Sequence, residues 1–377
     1  MFTPIRMSSQ TTSLTLVLLL ILIQAGLASG QSGGQWKPVA TKTKLTARSE
    51  CGLATLQGKL YLLGGDGPIA PVEEFDPTTM IWTPKASPPL AFHHFQPVSE
   101  QGKIYLLGAF AKGNFPTQLP MTHVYSYDPT ADRWEKGAEI PVDRRRASGG
   151  AATYQGKLYL VNGIRYGHSS GTTNLFDEYD PVSRMWKPLP DAPHIRDHSM
   201  AAVAGDKLYA VGGRNTSYHE PDNFMAFMSK TVLEVDCYDF KTGTWSTLAA
   251  KLPLGSGGGN LVNLDGKLVY MGGERATATS PNGAQKETYY LDLANPTRWV
   301  QAGNLTNARN GVGAVVLNHH IYVAGGAGGG LGGPPPNGAQ SGPPPNSNGI
   351  PPGPPPGSGP PAEGGDIALE VFSFDSH

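Results

Sequence analysis

The chain has 377 residues, of which 49 are Gly and 34 are Pro, and its net charge is −1. Gly and Pro both weaken helix interiors, so this composition excludes a mainly helical protein, while six Trp, 15 Tyr and 12 Phe supply material for a core. The near-zero net charge gives no electrostatic basis for binding nucleic acid, and we expect no such partner.

An apolar segment lies near the start of the chain. Residues 14–23 (LTLVLLLILI) follow Arg6 and precede a run of small residues that ends at Gly30. This run is too short to span a bilayer, and the pattern is typical of a secretory signal peptide. We therefore expect residues 1–30 to be cleaved, leaving a chain that is secreted, or periplasmic in a bacterium, without membrane contact. An uncleaved anchor is the alternative.

An internal repeat organises the rest of the chain. The general form is a Gly-Lys turn, an apolar stretch and a Gly-Gly pair, then an aromatic-Asp or Leu-Asp turn and, a few residues later, a Trp. Gly108-Ala109 and Asn162-Gly163 replace the Gly-Gly pair in the second and third copies. The first motif starts at Gly58, Gly102, Gly156, Asp206, Gly266 and His319. The Asp turns start at Phe75, Tyr127, Tyr179, Tyr238, Leu291 and Phe374, and the Trp residues are Trp82, Trp134, Trp186, Trp245 and Trp299.

Each copy predicts four short antiparallel strands, which we call A to D in chain order. The Gly-Lys turn joins A to B, strand C ends at the Asp, and strand D carries the Trp. Trp36 has no A, B or C strand before it, and the sixth copy stops at His377 before any Trp. The strand around Trp36 is therefore expected to complete the last unit and to close a ring.

The Gly-Gly, Tyr-Asp-Pro and Trp spacing resembles the kelch repeat of the galactose oxidase-like/kelch superfamily, whose period is near 50 residues. This resemblance implies an all-β fold, a six-bladed kelch-type β-propeller formed as a single domain by residues 31–377. In such a ring Cys51 and Cys237 lie on opposite sides, so we expect two buried free thiols. Asn215 and Asn304 begin sequons and are candidate glycosylation sites.

A Gly- and Pro-rich stretch at 327–365 interrupts the sixth repeat between strands B and C. It holds 13 Pro between Pro334 and Pro361, a composition that cannot bury a core. We expect a disordered surface insertion. A docking arm for a partner, or a glycan attachment site, is the alternative.

The long loops predict where a ligand would bind. Strand direction alternates within a blade, so the B–C and D–A connections share one face, which we call the loop face. One repeat position at the start of strand A carries four arginines that would encircle the channel mouth: Arg48, Arg146, Arg196 and Arg309. Guanidinium groups suit an oxyanion, while hydrogen bonding to nearby loop carbonyls is the structural alternative.

Residues that break the repeat give further candidates. For ligand binding these are Phe92, His93, Asn260, Arg214 and Tyr218, and for acid–base catalysis they are Glu220, Glu274, His93 and His219. Neighbouring His side chains, as in His93-His94, diverge on an extended strand, and His194 and His198 do not lie on a helix. We therefore expect no metal ligands and no cofactor.

Two functions remain open from the sequence. The first is a secreted, monomeric binding module that recognises a protein or a glycan through the loop face, since no catalytic motif is present. The alternative is a carbohydrate-active enzyme, such as a sialic-acid-type epimerase or mutarotase, which the resemblance also implies. It would use the channel arginines against a sugar carboxylate.

Overall fold

A computed structural model describes Met1 and residues 33–280, 283–328 and 369–375. Residues 2–30 of the predicted signal peptide and residues 329–365 of the predicted insertion lie outside the described residues. Residues 327 and 328, which we assigned to the insertion, belong to the end of a β-strand. In the described part of the chain, no helix has the length and apolar character needed to cross a membrane.

The described strands form six four-stranded antiparallel sheets, each with the predicted A-B-C-D order. Blade 1 consists of Cys51–Leu56, Lys59–Gly64, Glu73–Asp76 and Ile81–Pro84. Blade 2 consists of Val98–Glu100, Lys103–Leu106, His123–Asp128 and Arg133–Glu139. Blade 3 consists of Gly150–Tyr154, Lys157–Tyr166, Ser170–Asp180 and Met185–Leu189.

The other three blades repeat this arrangement. Blade 4 consists of Met200–Ala204, Lys207–Val211, Asp236–Asp239 and Thr244–Thr247. Blade 5 consists of Asn260–Leu264, Lys267–Met271, Glu287–Asp292 and Val300–Asn304. Blade 6 consists of Arg309–Leu317, His320–Gly328, Glu370–Phe374 and Gly34–Pro38.

The first strand of the described chain closes the ring. Gly34–Pro38 pairs antiparallel with Glu370–Phe374, and Trp36 stands opposite Phe372 with 5.2 Å between the ring centroids. The Trp36 indole Nε1 donates to Thr288 Oγ1 of blade 5 at 2.9 Å, which ties the closing strand to the neighbouring blade. The predicted six-bladed propeller, closed by the N-terminal strand, is confirmed.

Turn chemistry explains why the repeat folds in this way. The A–B turn of blade 1 contains two residues, Gln57 and Gly58, with φ values of 52° and 75°. Two positive φ angles define the type I′ turn, whose twist matches that of the paired strands. The Asp motif then places an aromatic ring against the Trp of strand D, as in Phe75 and Trp82, with centroids 5.1 Å apart.

The A strands of all six blades surround a central channel with a volume of about 390 Å³. Apolar side chains fill the space between neighbouring blades, and both Cys51 and Cys237 are free and buried there, as predicted. The connections on the loop face carry the small elements Phe110–Lys112, Leu119–Pro120, Val142–Arg144, Phe224–Ser229, Glu274–Arg275 and Gly283–Ala284.

Candidate functional site

The four arginines at the repeat position are buried and bind carboxylates of their own blade. Each guanidinium contacts one acidic side chain of strand C, in the pairs Arg48–Glu73, Arg146–Asp177, Arg196–Asp236 and Arg309–Glu370. Each also donates to the carbonyl of the residue 16 positions further along the chain, in or directly after strand B: Gly64, Asn162, Gly212 and Gly325. Because these side chains are buried and paired, we assign them to the fold and not to the candidate site.

A second repeat position, two residues further along, forms a ring around the channel mouth. Its six residues all have positive φ, between 53° and 64°: Glu50, His94, Ser148, His198, Gly258 and Gly311. Backbone amides link neighbours around this ring, as in Ser148 N to His94 O at 2.8 Å and Gly311 N to Gly258 O at 2.9 Å. Glycine is required at Gly311, where a Cβ would lie 2.6 Å from the Glu50 amide nitrogen.

Four of these six residues carry side chains in the left-handed conformation, which is unfavourable for L-residues. Such strain is typical of functional sites, where the surrounding structure imposes it. Together the six residues line a cavity of about 20 Å³ on the axis of the ring, next to Phe95 and Met200. We call Glu50, His94, Ser148 and His198 the mouth residues.

Three histidines meet at the mouth. A ring nitrogen from each of His94, His168 and His198 lies within 4.8 Å of the other two, and all three side chains are buried. His168 comes from the B–C hairpin of blade 3, between Tyr166 and Ser170. Its Nε2 is 3.2 Å from Nε2 of His198. Three separate segments of chain are thus needed to bring these side chains together.

The outer nitrogen atoms of two of these rings have fixed partners. His198 Nδ1 donates to Asp197 Oδ1 at 2.6 Å, and His168 Nδ1 is 3.1 Å from Gln118 Oε1. Asp197 is fully buried and also accepts from Thr172 Oγ1 and the Thr216 amide, so it is held in place by several donors. Burial is the main cause that lowers the pKa of His94, His168 and His198, which keeps these imidazoles neutral.

Charged groups surround the histidines. Arg214 pairs with Glu274 at 2.8 Å, and Asn310 Nδ2 donates to the other oxygen of Glu274. Glu50 Oε2 is 3.4 Å from His94 Nε2. Burial, and then the charge of Glu274, raises the pKa of Glu50 to about 8. The mouth is therefore a buried polar site that combines neutral imidazoles with one ion pair.

The other sequence candidates fall into three groups. Phe92 and Asn260 are buried in the fold: Phe92 packs 4.9 Å from Tyr125, and Asn260 Nδ2 donates to Val312 O at 2.9 Å. His93 lies beside the mouth, with its Nδ1 2.6 Å from Nδ1 of His94.

The remaining candidates come from the B–C loop of blade 4. Tyr218 donates to the exposed Glu220 at 3.0 Å, while His219 contacts the carbonyls of Phe224 and Ser169 and so joins this loop to the blade 3 hairpin. The sequon residue Asn215 is partly buried in the same loop, and Asn304 of blade 5 is exposed.

The sequence analysis did not identify the histidine cluster at the channel mouth. We expected His93 and His94 to diverge on an extended strand, but His94 has a φ of 58°, so this segment is not extended. His168 carries no pattern in the sequence, because its partners come from other blades. The available signal was the repeat itself, since aligning the six copies places His94 and His198 at one position.

The chain resembles several curated proteins over most of its length. It is 27% identical to Kelch-like protein terF of Aspergillus terreus over 291 residues, which are 74% of this chain and 61% of that protein. It is 26% identical to human Kelch-like protein 23 over 269 residues, 71% of this chain and 43% of that protein. The chain thus spans less than two thirds of these relatives, and no family model matches it.

A solved structure described as the structure of YjhT aligns with a TM-score of 0.64 at 15% identity, covering 76% of this chain and 93% of that one. At this identity the likeness concerns the fold alone. The closed ring of six four-stranded sheets defines the chain as a β-propeller. The repeat motifs and the Kelch-like relatives make it, more specifically, a six-bladed propeller of the kelch-repeat type.

Proposed function

We propose that this chain is a binding module that recognises a protein partner through its loop face. The observation that carries the proposal is the placement of exposed large apolar side chains. Among the described residues other than Met1, seven of nine lie in B–C or D–A connections or, for Tyr166, at the strand end that borders one: Ile69, Phe115, Leu119, Val142, Tyr166, Ile195 and Leu233. The other two, Val182 and Met185, lie around a C–D turn on the opposite face. Apolar side chains gathered on one face are typical of interaction surfaces.

The loops of blades 2, 3 and 4 support one another and give this face a defined shape. Phe115 of blade 2 lies 5.1 Å from the His168 ring of blade 3 and 5.9 Å from the Phe224 ring of blade 4, between centroids. Ser217 and Thr172 join the last two loops through a hydroxyl hydrogen bond of 2.8 Å. A preformed surface binds with a smaller loss of conformational entropy than a flexible one.

A glycan is the second ligand class, and secretion is part of the same proposal. The apolar run at 14–23 supports secretion, and a secreted chain would meet both proteins and glycans. We favour a protein because the exposed side chains are aliphatic and aromatic. The enzyme alternative lacks its main support, since the four arginines that would hold a sugar carboxylate bind carboxylates of the fold.

The test compares two double variants of the full chain. Leu119→Ser with Tyr166→Ser changes the loop face, and Val182→Ser with Met185→Ser is the matched control on the opposite face. Partners are captured with the wild-type protein from the secreted fraction of the source organism, purified, and measured by surface plasmon resonance. We expect the loop-face variant to bind at least about tenfold more weakly and the control to be unchanged.

Two results would contradict the proposal. One is equal binding by both variants. The other is a partner that the opposite-face variant alone fails to bind. A glycan array probed with the same three proteins distinguishes the ligand classes, because loop-face-dependent glycan binding without any protein partner would favour the glycan.

A further inference from the structure

We propose that His94, His168 and His198 form a binding site for one divalent transition-metal ion, with Zn²⁺ as the representative ion. The site lies at the channel mouth, beneath the loop face, and the proposal does not depend on which partner that face binds. Neutral imidazole is a common ligand of Zn²⁺, Cu²⁺ and Ni²⁺, and three protein ligands with one open position is a recurrent arrangement for zinc.

The distances fit a single ion. Two ligands of a tetrahedral zinc, each with a Zn–N distance of about 2.0–2.1 Å, stand roughly 3.3–3.4 Å apart. Nε2 of His168 and Nε2 of His198 are 3.2 Å apart, and a nitrogen of His94 completes a triangle with no side longer than 4.8 Å. Small rotations of the rings would bring the third nitrogen to ligand distance.

Hydrogen bonds to the outer nitrogen atoms direct the inner ones. The carboxylate of Asp197 accepts from His198 Nδ1, so the lone pair of this neutral ring is on Nε2. Nδ1 of His168 lies beside Gln118 Oε1, which places its lone pair on Nε2 as well. Two lone pairs then face each other across 3.2 Å, and this arrangement is stabilised when a cation lies between them.

The surroundings are also those of a metal site. Phe110 is fully buried and lies 5.5 Å and 5.8 Å from the rings of His94 and His168, so an apolar side chain shields the site. The cavity of about 20 Å³ beside His94 and His198 has room for about one water molecule. Glu50, 3.4 Å from His94 Nε2, lines this cavity and could accept a hydrogen bond from such a water.

A bound ion would join three segments that are distant in the chain. His94 and His198 belong to the ring at the mouth, and His168 lies at the tip of the blade 3 hairpin. The ion would therefore fix this hairpin to the ring and stabilise the loop layer above it. Mass action predicts higher stability in the presence of the metal, because the unfolded chain does not hold the three ligands together.

The test uses the full chain produced without a polyhistidine tag. We expect about one equivalent of metal by elemental analysis after dialysis against Zn²⁺, and visible ligand-field absorption bands after replacement by Co²⁺. His168→Ala is expected to lose both signals. His319→Ala is the matched control, since His319 is exposed on the A–B turn of blade 6 and should leave them unchanged.

A second variant covers the case in which His168→Ala does not fold. Gln118→Leu keeps all three ligands and removes the group beside His168 Nδ1, so it should weaken Co²⁺ binding about 10–100-fold and alter the spectrum. The proposal is overturned if the wild-type protein binds neither ion stoichiometrically. It is also overturned if folded His168→Ala binds Co²⁺ as tightly as the wild type, which would indicate adventitious binding elsewhere.

Discussion

The buried pair of Arg196 and Asp236 offers a direct test of the role assigned to the repeat-position arginines. Both side chains are fully buried, with 2.6 Å between the guanidinium and the carboxylate, and Arg196 also donates to the carbonyls of Gly212 and Glu234. Arg196→Met keeps the apolar stem of the side chain but removes the guanidinium beside the buried Asp236 carboxylate, whose other oxygen keeps its contacts with His194 Nδ1 and the Thr247 hydroxyl.

The expected loss in the free energy of unfolding is about 3–5 kcal/mol, the usual effect of removing one partner of a buried ion pair. The double variant Arg196→Met with Asp236→Leu removes both charges, and it should recover most of this loss because no isolated charge remains. Lys241→Met is the control: it breaks the exposed pair of Lys241 with Asp206 and should have an effect of about 0–1 kcal/mol.

Urea unfolding, followed by Trp fluorescence and far-ultraviolet circular dichroism, measures all three variants. The reasoning is refuted if Arg196→Met is no more destabilising than Lys241→Met, or if the double variant is no more stable than the single one. An arginine that binds a ligand would behave differently, since its substitution would weaken ligand binding and leave the free energy of unfolding nearly unchanged.

Four further predictions concern other parts of the ring. Trp36→Ala removes the contact with Phe372 and should lower the free energy of unfolding by about 3–5 kcal/mol in urea titrations; a loss below about 1 kcal/mol would contradict closure by this strand. Ser148→Gly should raise the free energy of unfolding by about 1 kcal/mol, because Ser148 has a φ of 57° and a hydroxyl with no hydrogen-bond partner among the described residues, and a decrease would contradict this account. Burial raises the pKa of the Cys51 thiol to about 11, so at pH 8 only about one thiol in a thousand is ionised, and a disulfide reagent should label neither Cys51 nor Cys237 before unfolding. Since the folded pKa of Cys51 lies above the unfolded value of 9.0, stability should fall as the pH rises from about 9 to 11, and a rise would be inconsistent with a buried thiol.

The ring could be predicted from the sequence because each repeat contains the residues that determine its own turns and strands. The Gly58 turn, the aromatic ring of Phe75 and the Trp82 strand recur at a nearly constant spacing, and each needs only its neighbours in one sheet. The unpaired Trp36 strand and the sixth copy, incomplete at Phe374, together predicted how the ring closes. Local signals of this kind can be interpreted from a single chain.

The candidate site could not be predicted in the same way. His168 and His198 meet through a hairpin and a ring position of different blades, and the left-handed φ of His94 has no local sequence signature. The four arginines illustrate a different limit. Their recurrence was visible in the sequence, but whether they stabilise the fold or bind a ligand depended on their pairing with the strand C carboxylates, which is set by tertiary packing.

The composite sixth blade also has a consequence for the order of events during biosynthesis. The strand around Trp36 is among the first described parts of the chain to be made, yet its partner around Phe372 follows more than 300 residues later. Until then the strand around Trp36 lacks its hydrogen-bonding partner, and an unpaired strand is prone to pair with another molecule. A nascent chain therefore gains the hydrogen bonds between these two strands only after the segment around Phe372 has been made, and the sixth blade can reach its final shape only at that stage.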